Sequence, residues 1–301
     1  MLAQEFGKRV LLVDLDSQSN LTAALIGDVQ EYRKQARSIY HLFRELLQGR
    51  SENPGWDLSS AAITPAGNVD TIRQTRNLSV VISLPELGQF DEELIDYLEQ
   101  RRGDRIRIDV AWRKLLQLKI KAVRGQYDYI IIDCPPSLSL FTSNALIASD
   151  YFITPMAPEF LSMQGLDLIT ARLGALRANS ELQGSIQVKY AGTIVNRVDI
   201  RRGDHQARLS GILGEPRYYP FRNWIGDHKP MYLITDYDHP AQFLRRRWRD
   251  LQEKMIPKNM GKDTTFKNPR NSLLRYKDEG DTYTIFDRVR KLTEEFVRRC
   301  K

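Results

Sequence analysis

With 301 residues, 42% of them hydrophobic and 28% charged, and a net charge of +7, the chain can form one large α/β domain with additions, or a domain plus a tail. Its longest apolar run near the start, Val10 to Val13, falls far short of the roughly 18 residues that span a bilayer and is too short for a signal-peptide core. Two cysteines, Cys134 and Cys300, are too few for a disulfide framework or a thiolate-held metal or iron–sulfur cluster, so a reducing cytoplasm is the expected compartment. Leu2 to Gly7 reads as the last turns of a helix with Gly7 as its C-cap. Arg9 to Val13 follows as a strand that ends on Asp14, with Asp16 two residues on. Carboxylates at i and i+2 of a strand end can both face a metal once the backbone leaves the pleat; the alternative reading is strand-end and capping roles. Ser38 to Gly49 places Ile39, Leu42, Phe43, Leu46 and Leu47 on one face, an amphipathic helix closed by Gly49, with His41 as a surface side chain. Residues 50–77 are polar with scattered Pro and Gly and read as mostly loop. Leu78 to Leu84 is strand-like, and Phe90 to Glu99 and Val110 to Val123 read as helices. Glu92, Glu93, Asp96 and Glu99, beside Arg101, Arg102, Arg105 and Arg107, read as a solvated helix face and its loop.

The stretch from Gln126 to Glu159 organises the chain. Tyr129 to Ile132 is a continuous apolar, β-branched run, suited to a parallel strand covered on both faces. It stops at Asp133, and Cys134-Pro135-Pro136 cannot continue a central strand. The carboxylate is thereby left at the carboxyl end of a strand, where open α/β sheets bind ligands. A magnesium or water ligand and a helix-capping acid are both open readings of Asp133. A Leu- and Ala-rich helical segment and a second apolar run, Tyr151 to Thr154, complete one βαβ unit.

Beyond it, Met163 onward reads as an amphipathic helix, and Val188 to Val195 as a buried strand ending at Asn196, a residue also favoured in turns. Residues 256–281 carry Pro, Gly, Asn and Lys and read as a linker, and Thr284 to Arg299 returns to helical spacing. Residues 241–301 hold 17 Lys and Arg against 9 Asp and Glu, a net of +8, so the basic character belongs to the tail. Arg245, Arg246, Arg247 and Arg249 are its densest cluster. They suit phosphate contacts on DNA, or pairing with the acidic run at Glu92 to Glu99. The last helix lacks the uninterrupted apolar face of a membrane-surface helix.

IIIDCPPSLSLFTSNALIASDYFITPMAPEFLSMQGL resembles the switch II region of the ParA/MinD (Soj-like) family of deviant Walker ATPases, which position plasmids, chromosomes and division sites. VDLDSQSN is similar to the family's DxDPQxN switch I, with Ser17 in place of Pro and Ser19 in place of Gly. YYPFRNWIGDHKPM resembles its IPRNVxxxEAxxxGKP, with Phe221 in place of Pro. The resemblance covers roughly Leu2 to Leu251 and implies a mostly parallel sheet flanked by helices, as in P-loop NTPases, followed by a basic, helical C-terminal tail. It implies domains at 1–251 and 252–301. By the same resemblance, Asp16 orients the attacking water, Asp14 and Asp133 lie at the nucleotide magnesium, and Asn196, Phe221 and Arg222 belong to the adenine site. Arg245, Arg246, Arg247 and Arg249 become the DNA-binding candidates. The implied cofactors are ATP and Mg2+; the implied partners are a second copy of the chain, non-specific DNA and a ParB-like stimulating protein, with no membrane.

The family's KGGxGKT phosphate loop and first strand have no match in these residues. The expectation is that the reading frame continues upstream of Met1 for about one strand–loop–helix and supplies them, and that the 301 residues alone are poorly folded or bind ATP too weakly to detect. The competing reading is a remnant without nucleotide binding that acts as a DNA- or protein-binding module. A cofactor-maturation ATPase on the same fold has no supporting cysteine or metal motif.

Overall fold

The computed structural model describes residues 2–3, 5–26, 38–47, 57–63, 77–100, 105–159, 162, 164–227, 276–278, 281–283 and 285–301. Contacts group the chain into two units, Leu2–Asp150 with Leu168–Lys189, and Tyr151–Asp167 with Tyr190–Lys301. The domain boundary expected at Leu251 lies outside the described residues.

The first unit is built on three parallel strands, β1 (Val10–Asp14), β2 (Leu78–Val81) and β3 (Tyr129–Asp133), in the order β2-β1-β3. β1 sits in the centre, and its Leu11, Val13 and the following Leu15 are fully buried. Around the sheet run α1 (Asn20–Ile26), α2 (Ile39–Leu47), α3 (Leu58–Ala61), α4 (Phe90–Gln100), α5 (Arg105–Val123), α6 (Leu140–Ala148) and most of α7 (Gly165–Ala178). Alternating strand and helix with parallel pairing is the α/β arrangement the sequence pattern implies. The apolar stripe of α2 buries Ile39, Leu42 and Phe43, and Phe43 meets Phe90 of α4, Trp112 of α5 and Phe141 of α6, with centroids 5.7, 6.1 and 5.0 Å away. That aromatic cluster is the centre of the core.

Several elements differ from the sequence reading. α5 starts five residues early, at Arg105, and within the span read as loop Asp57 accepts the Ser60 N–H (2.8 Å) and caps the short α3. The expectation of complete cover for the strand at Tyr129 is corrected: β1 is its one hydrogen-bonded neighbour among the described residues, and Ile131 is 37% exposed. β-branched residues select a strand, but hydrogen bonding on both edges comes from neighbours that the run itself does not encode. The structure shows no helix among the described residues that is long and apolar enough to cross a membrane.

The second unit contains the pair β4 (Tyr151–Met156) and β5 (Lys189–Val195), α8 (Gly203–Gly214), a small antiparallel hairpin of β6 (Tyr276–Asp278) and β7 (Asp281–Tyr283), and α9 (Ile285–Arg299). Its core gathers Met156, Leu166, Val195, Val198, Leu209, Ile212, Tyr218 and Trp224. β6 falls inside the segment read as linker, and β7 begins on that segment's last residue, Asp281.

Candidate functional site

β1 and β3 run parallel with Asp14 opposite Asp133, and the Leu15 N–H donates to the Asp133 carbonyl at 2.8 Å. Both acids therefore leave the sheet at the same end, as the apolar runs that stop at each of them require. Asp14 is fully buried. Its Oδ2 accepts the Thr22 N–H at 2.9 Å and the Thr22 hydroxyl at 2.6 Å, and its Oδ1 accepts the Asp16 N–H at 3.0 Å. Thr22 Oγ1 in turn accepts the Ser83 N–H at 3.0 Å. Asp14 thus caps the first turn of α1 and ties β1 to the end of β2, a role that composition alone did not reveal and that a threonine eight residues downstream completes. Asp16 is half-buried and accepts the Gln18 N–H on Oδ1 at 3.0 Å, an Asx turn.

Ser19, at the position where the resembled switch motif carries Gly, has φ of 53°. A side chain in the left-handed region costs about 1–2 kcal/mol, of which glycine's larger unfolded-state entropy returns about half. Ser19→Gly is therefore expected to stabilise the protein by roughly 0.5–1 kcal/mol in urea denaturation.

At this sheet end the ionisation of Asp14 and Asp133 is shifted. Burial holds the Asp14 carboxyl above the usual range against the pull of the Thr22 bonds. The Asp133 carboxyl, on a residue still exposed at its strand end, is pushed up to about 6, first by partial desolvation and then by the charges of Asp14 and Asp16. Folded Asp133 keeps its proton to about pH 6, whereas the unfolded chain releases it near 3.8. The folded state consequently binds more protons in that interval, so stability falls as pH rises from about 4 to 6 and is level above. Asp14 acts in the same direction. Asp128 and Asp199, held at about 2 by Arg9 and Arg201, act oppositely, and only below about pH 4. Asp133→Asn is expected to remove most of the slope between pH 4.5 and 6.5 and to raise stability at pH 7, read from urea midpoints. An unchanged slope would place the titrating group elsewhere.

Repelling carboxylates with oxygen donors fit a hard divalent cation, whose charge would draw the Asp133 pKa back down. Among the described residues no group of three or more His, Cys, Asp or Glu is arranged to hold an ion by itself. A cation bound partly by phosphate oxygens fits this donor set, and that is how Mg2+ is commonly held. The thiol of Cys134, next to Asp133, is pushed up to about 12 by burial and then by Asp133 and Asp16, so it stays protonated at neutral pH.

The remaining nucleotide candidates lie in the second unit. Asn196 follows β5; its N–H donates to the Met156 carbonyl at 2.8 Å, and its Oδ1 accepts the Arg197 N–H at 2.8 Å. Arg197 has φ of 59°, so the chain turns sharply there. The segment from Phe221 to Asp227 runs beside the end of β5 and beyond it. Phe221 N–H donates to the Thr193 carbonyl and Ile225 N–H to the Val195 carbonyl, both at 2.8 Å. Asn196 and the Phe221–Arg222 pair are thereby brought to one end of one strand, with the Arg222 side chain exposed. Phe221 is completely buried, its ring packed 4.1 Å from the Arg299 guanidinium carbon. Phe221 thus packs inside the unit and leaves no ring face exposed. Glu295 and Arg299 of α9, which hold this segment, went unnoticed in the sequence because an acid and a base four residues apart are ordinary on a surface helix. Arg245, Arg246, Arg247 and Arg249 lie outside the described residues.

A family model described as an AAA domain matches residues 1–187. The sporulation initiation inhibitor protein Soj of Bacillus subtilis is 33% identical over 183 residues, 58% of this chain and 58% of Soj. The chromosome partitioning protein ParA of Caulobacter vibrioides is 32% identical over 190 residues, 61% of this chain and 59% of ParA. The chain thus spans less than two thirds of the length of these curated relatives. A putative plasmid partition protein from Borrelia burgdorferi, solved bound to AMPPNP, superposes with a TM-score of 0.59 at 21% identity, covering 99% of this chain and 90% of that one.

Proposed function

The chain belongs to the ParA/MinD family of AAA-domain proteins with a P-loop NTPase fold, and from that premise we propose that it is a partition-type ATPase using ATP and Mg2+. The observation that supports this reading most is the register of Asp14 against Asp133, with Asp16 hydrogen-bonded to Asp14 at the same strand ends. In this proposal Asp133 and Asp14 hold the magnesium side of the site, Asp14 also fixing the switch through Thr22. Asp16 orients the attacking water, while Asn196 and Arg222 offer polar groups to the adenine edge over a floor set by buried Phe221. When bound, Mg2+ neutralises charge on the phosphates; phosphoryl transfer to water otherwise asks mainly for positioning.

The ATP-bound form pairs with a second copy of the chain, binds DNA without sequence preference in the cytoplasm, and releases it when a ParB-like partner stimulates hydrolysis. The test is MgATP binding and turnover by the protein expressed from its natural reading frame, with and without DNA. Absent nucleotide binding together with retained DNA binding would favour a basic binding module instead.

Binding through Arg245, Arg246, Arg247 and Arg249 releases counterions, so duplex affinity is expected to fall with salt at a log–log slope of roughly −0.9 per phosphate neutralised. Changing Arg245, Arg246 and Arg247 together to Ala is expected to make that slope shallower by about 2–3 and to weaken binding equally across unrelated sequences. A slope and affinity unaltered by the triple change would make the cluster structural.

A further inference from the structure

The last helix of the second unit grips the segment that carries Phe221 and Arg222. Arg299 and Glu295, one helical turn apart, form an ion pair at 2.6 Å with side chains only 13% and 8% exposed. Neither stops at its partner. Arg299 Nη1 donates to the carbonyls of Ala191 at 2.9 Å and Tyr219 at 2.7 Å, and Nη2 donates to the Pro220 carbonyl at 2.7 Å. The guanidinium also lies over the rings of Tyr219 and Phe221, at 4.2 and 4.1 Å. Glu295 accepts the backbone N–H of Arg222 at 3.0 Å. One charged pair therefore holds three consecutive peptide units and the Ala191 carbonyl of β5.

The gripped backbone is one that the chain would not adopt unaided. Tyr219 is left-handed, with φ of 41° and ψ of 53°, a conformation that costs a non-glycine residue free energy. Gly192 beneath it has φ of 125°, and a Cβ there would fall on the Tyr219 carbonyl and on Arg299 Nη1. Backbone packs on backbone at this crossing, with the planar fork of Arg299 threaded between.

We propose that Arg299 and Glu295 are positioning residues for the nucleotide base: they fix residues 219–222, the segment that carries Arg222 along β5 from Thr193 toward the strand end that Asn196 follows. The inference rests on the ATP reading above. Lysine at 299 keeps the charge but loses the fork, and cannot serve three carbonyls and Glu295 at once.

The experiment compares the parent protein with Arg299→Lys and Glu295→Gln, each from the natural reading frame. Amide exchange is measured without nucleotide, then affinities for ATP and GTP and turnover at saturating ATP. In Arg299→Lys, exchange at Phe221 and Arg222 is expected to quicken at least tenfold with β1 and β3 unchanged. The ratio of ATP to GTP affinity is expected to drop about tenfold, with turnover of bound ATP within about twofold. Glu295→Gln keeps an acceptor for the Arg222 N–H and is expected to fall between parent and Arg299→Lys; it also serves if Arg299→Lys does not fold. Faster loop exchange with an unaltered ATP-to-GTP ratio, or unaltered exchange, would overturn the proposal and leave the ATP reading standing. A parent protein that binds neither nucleotide would overturn both.

Discussion

Asp16→Ala is expected to lower ATP hydrolysis by about 100-fold while leaving ATP affinity within about threefold, because a group that orients water acts mainly in the transition state. Local geometry supplies a control. Asp16 Oδ1 accepts the Gln18 N–H at 3.0 Å, and its own N–H is anchored on Asp14. Asparagine keeps the same acceptor for the turn but has no carboxylate to offer water. Asp16→Asn is therefore expected to match the alanine variant in lost turnover while retaining full stability, whereas Asp16→Ala also gives up about 1 kcal/mol of turn stabilisation. Single-turnover hydrolysis and urea denaturation separate the two effects. Normal turnover in Asp16→Asn would reduce this residue to its turn.

Phe43→Ala is expected to destabilise the protein by about 4 kcal/mol, the cost of a buried phenyl deletion whose cavity cannot collapse. Phe43 is completely buried and meets the rings of Phe90, Trp112 and Phe141, the first and last edge-on. Those three rings come from three different helices, so a collapse toward the vacancy would have to move all of them. Leu118→Ala, on the same fold at a side chain 47% exposed, is expected to cost under about 0.5 kcal/mol. Urea midpoints with unchanged slopes check both; a Phe43→Ala cost below about 1.5 kcal/mol would show that α2 does not close this core.

What the sequence made legible follows from how local each signal is. Strands β1 and β3 were visible because apolar runs stop abruptly at Asp14 and Asp133, and α2 because its five apolar residues share one stripe. The same locality predicted that both acids leave the sheet at strand ends. It did not predict that Thr22 and Ser83 complete the Asp14 network, since that bond pattern depends on how α1 and the end of β2 dock. The exposure of Ile131 was hidden for a similar reason: a strand's neighbours are written elsewhere in the chain. In the second unit the motif singles out Asn196 and Arg222 as candidates. The hold of α9 on the segment carrying Arg222 was not legible, because Glu295 and Arg299 reach residues about 70 to 110 positions away.

Neither unit is a single stretch of chain. The polypeptide leaves the first at Asp150, returns at Leu168 and leaves again after Lys189. No one proteolytic cut or stop codon can therefore part the two units cleanly, each free of the other's residues. A truncation at residue 150 would strip the first of Leu168–Lys189, where Arg172 donates to Ser143 Oγ at 2.8 Å and Ser185 accepts the Gln117 amide at 3.0 Å. During synthesis the same interleaving imposes an order. β1 emerges early but must wait for β2 and β3, more than sixty and more than a hundred residues later, before its backbone is paired on both sides. Chains with such distant pairings fold slowly and expose apolar strands meanwhile, so the ribosome-bound and newly released protein is the form with most need of a chaperone.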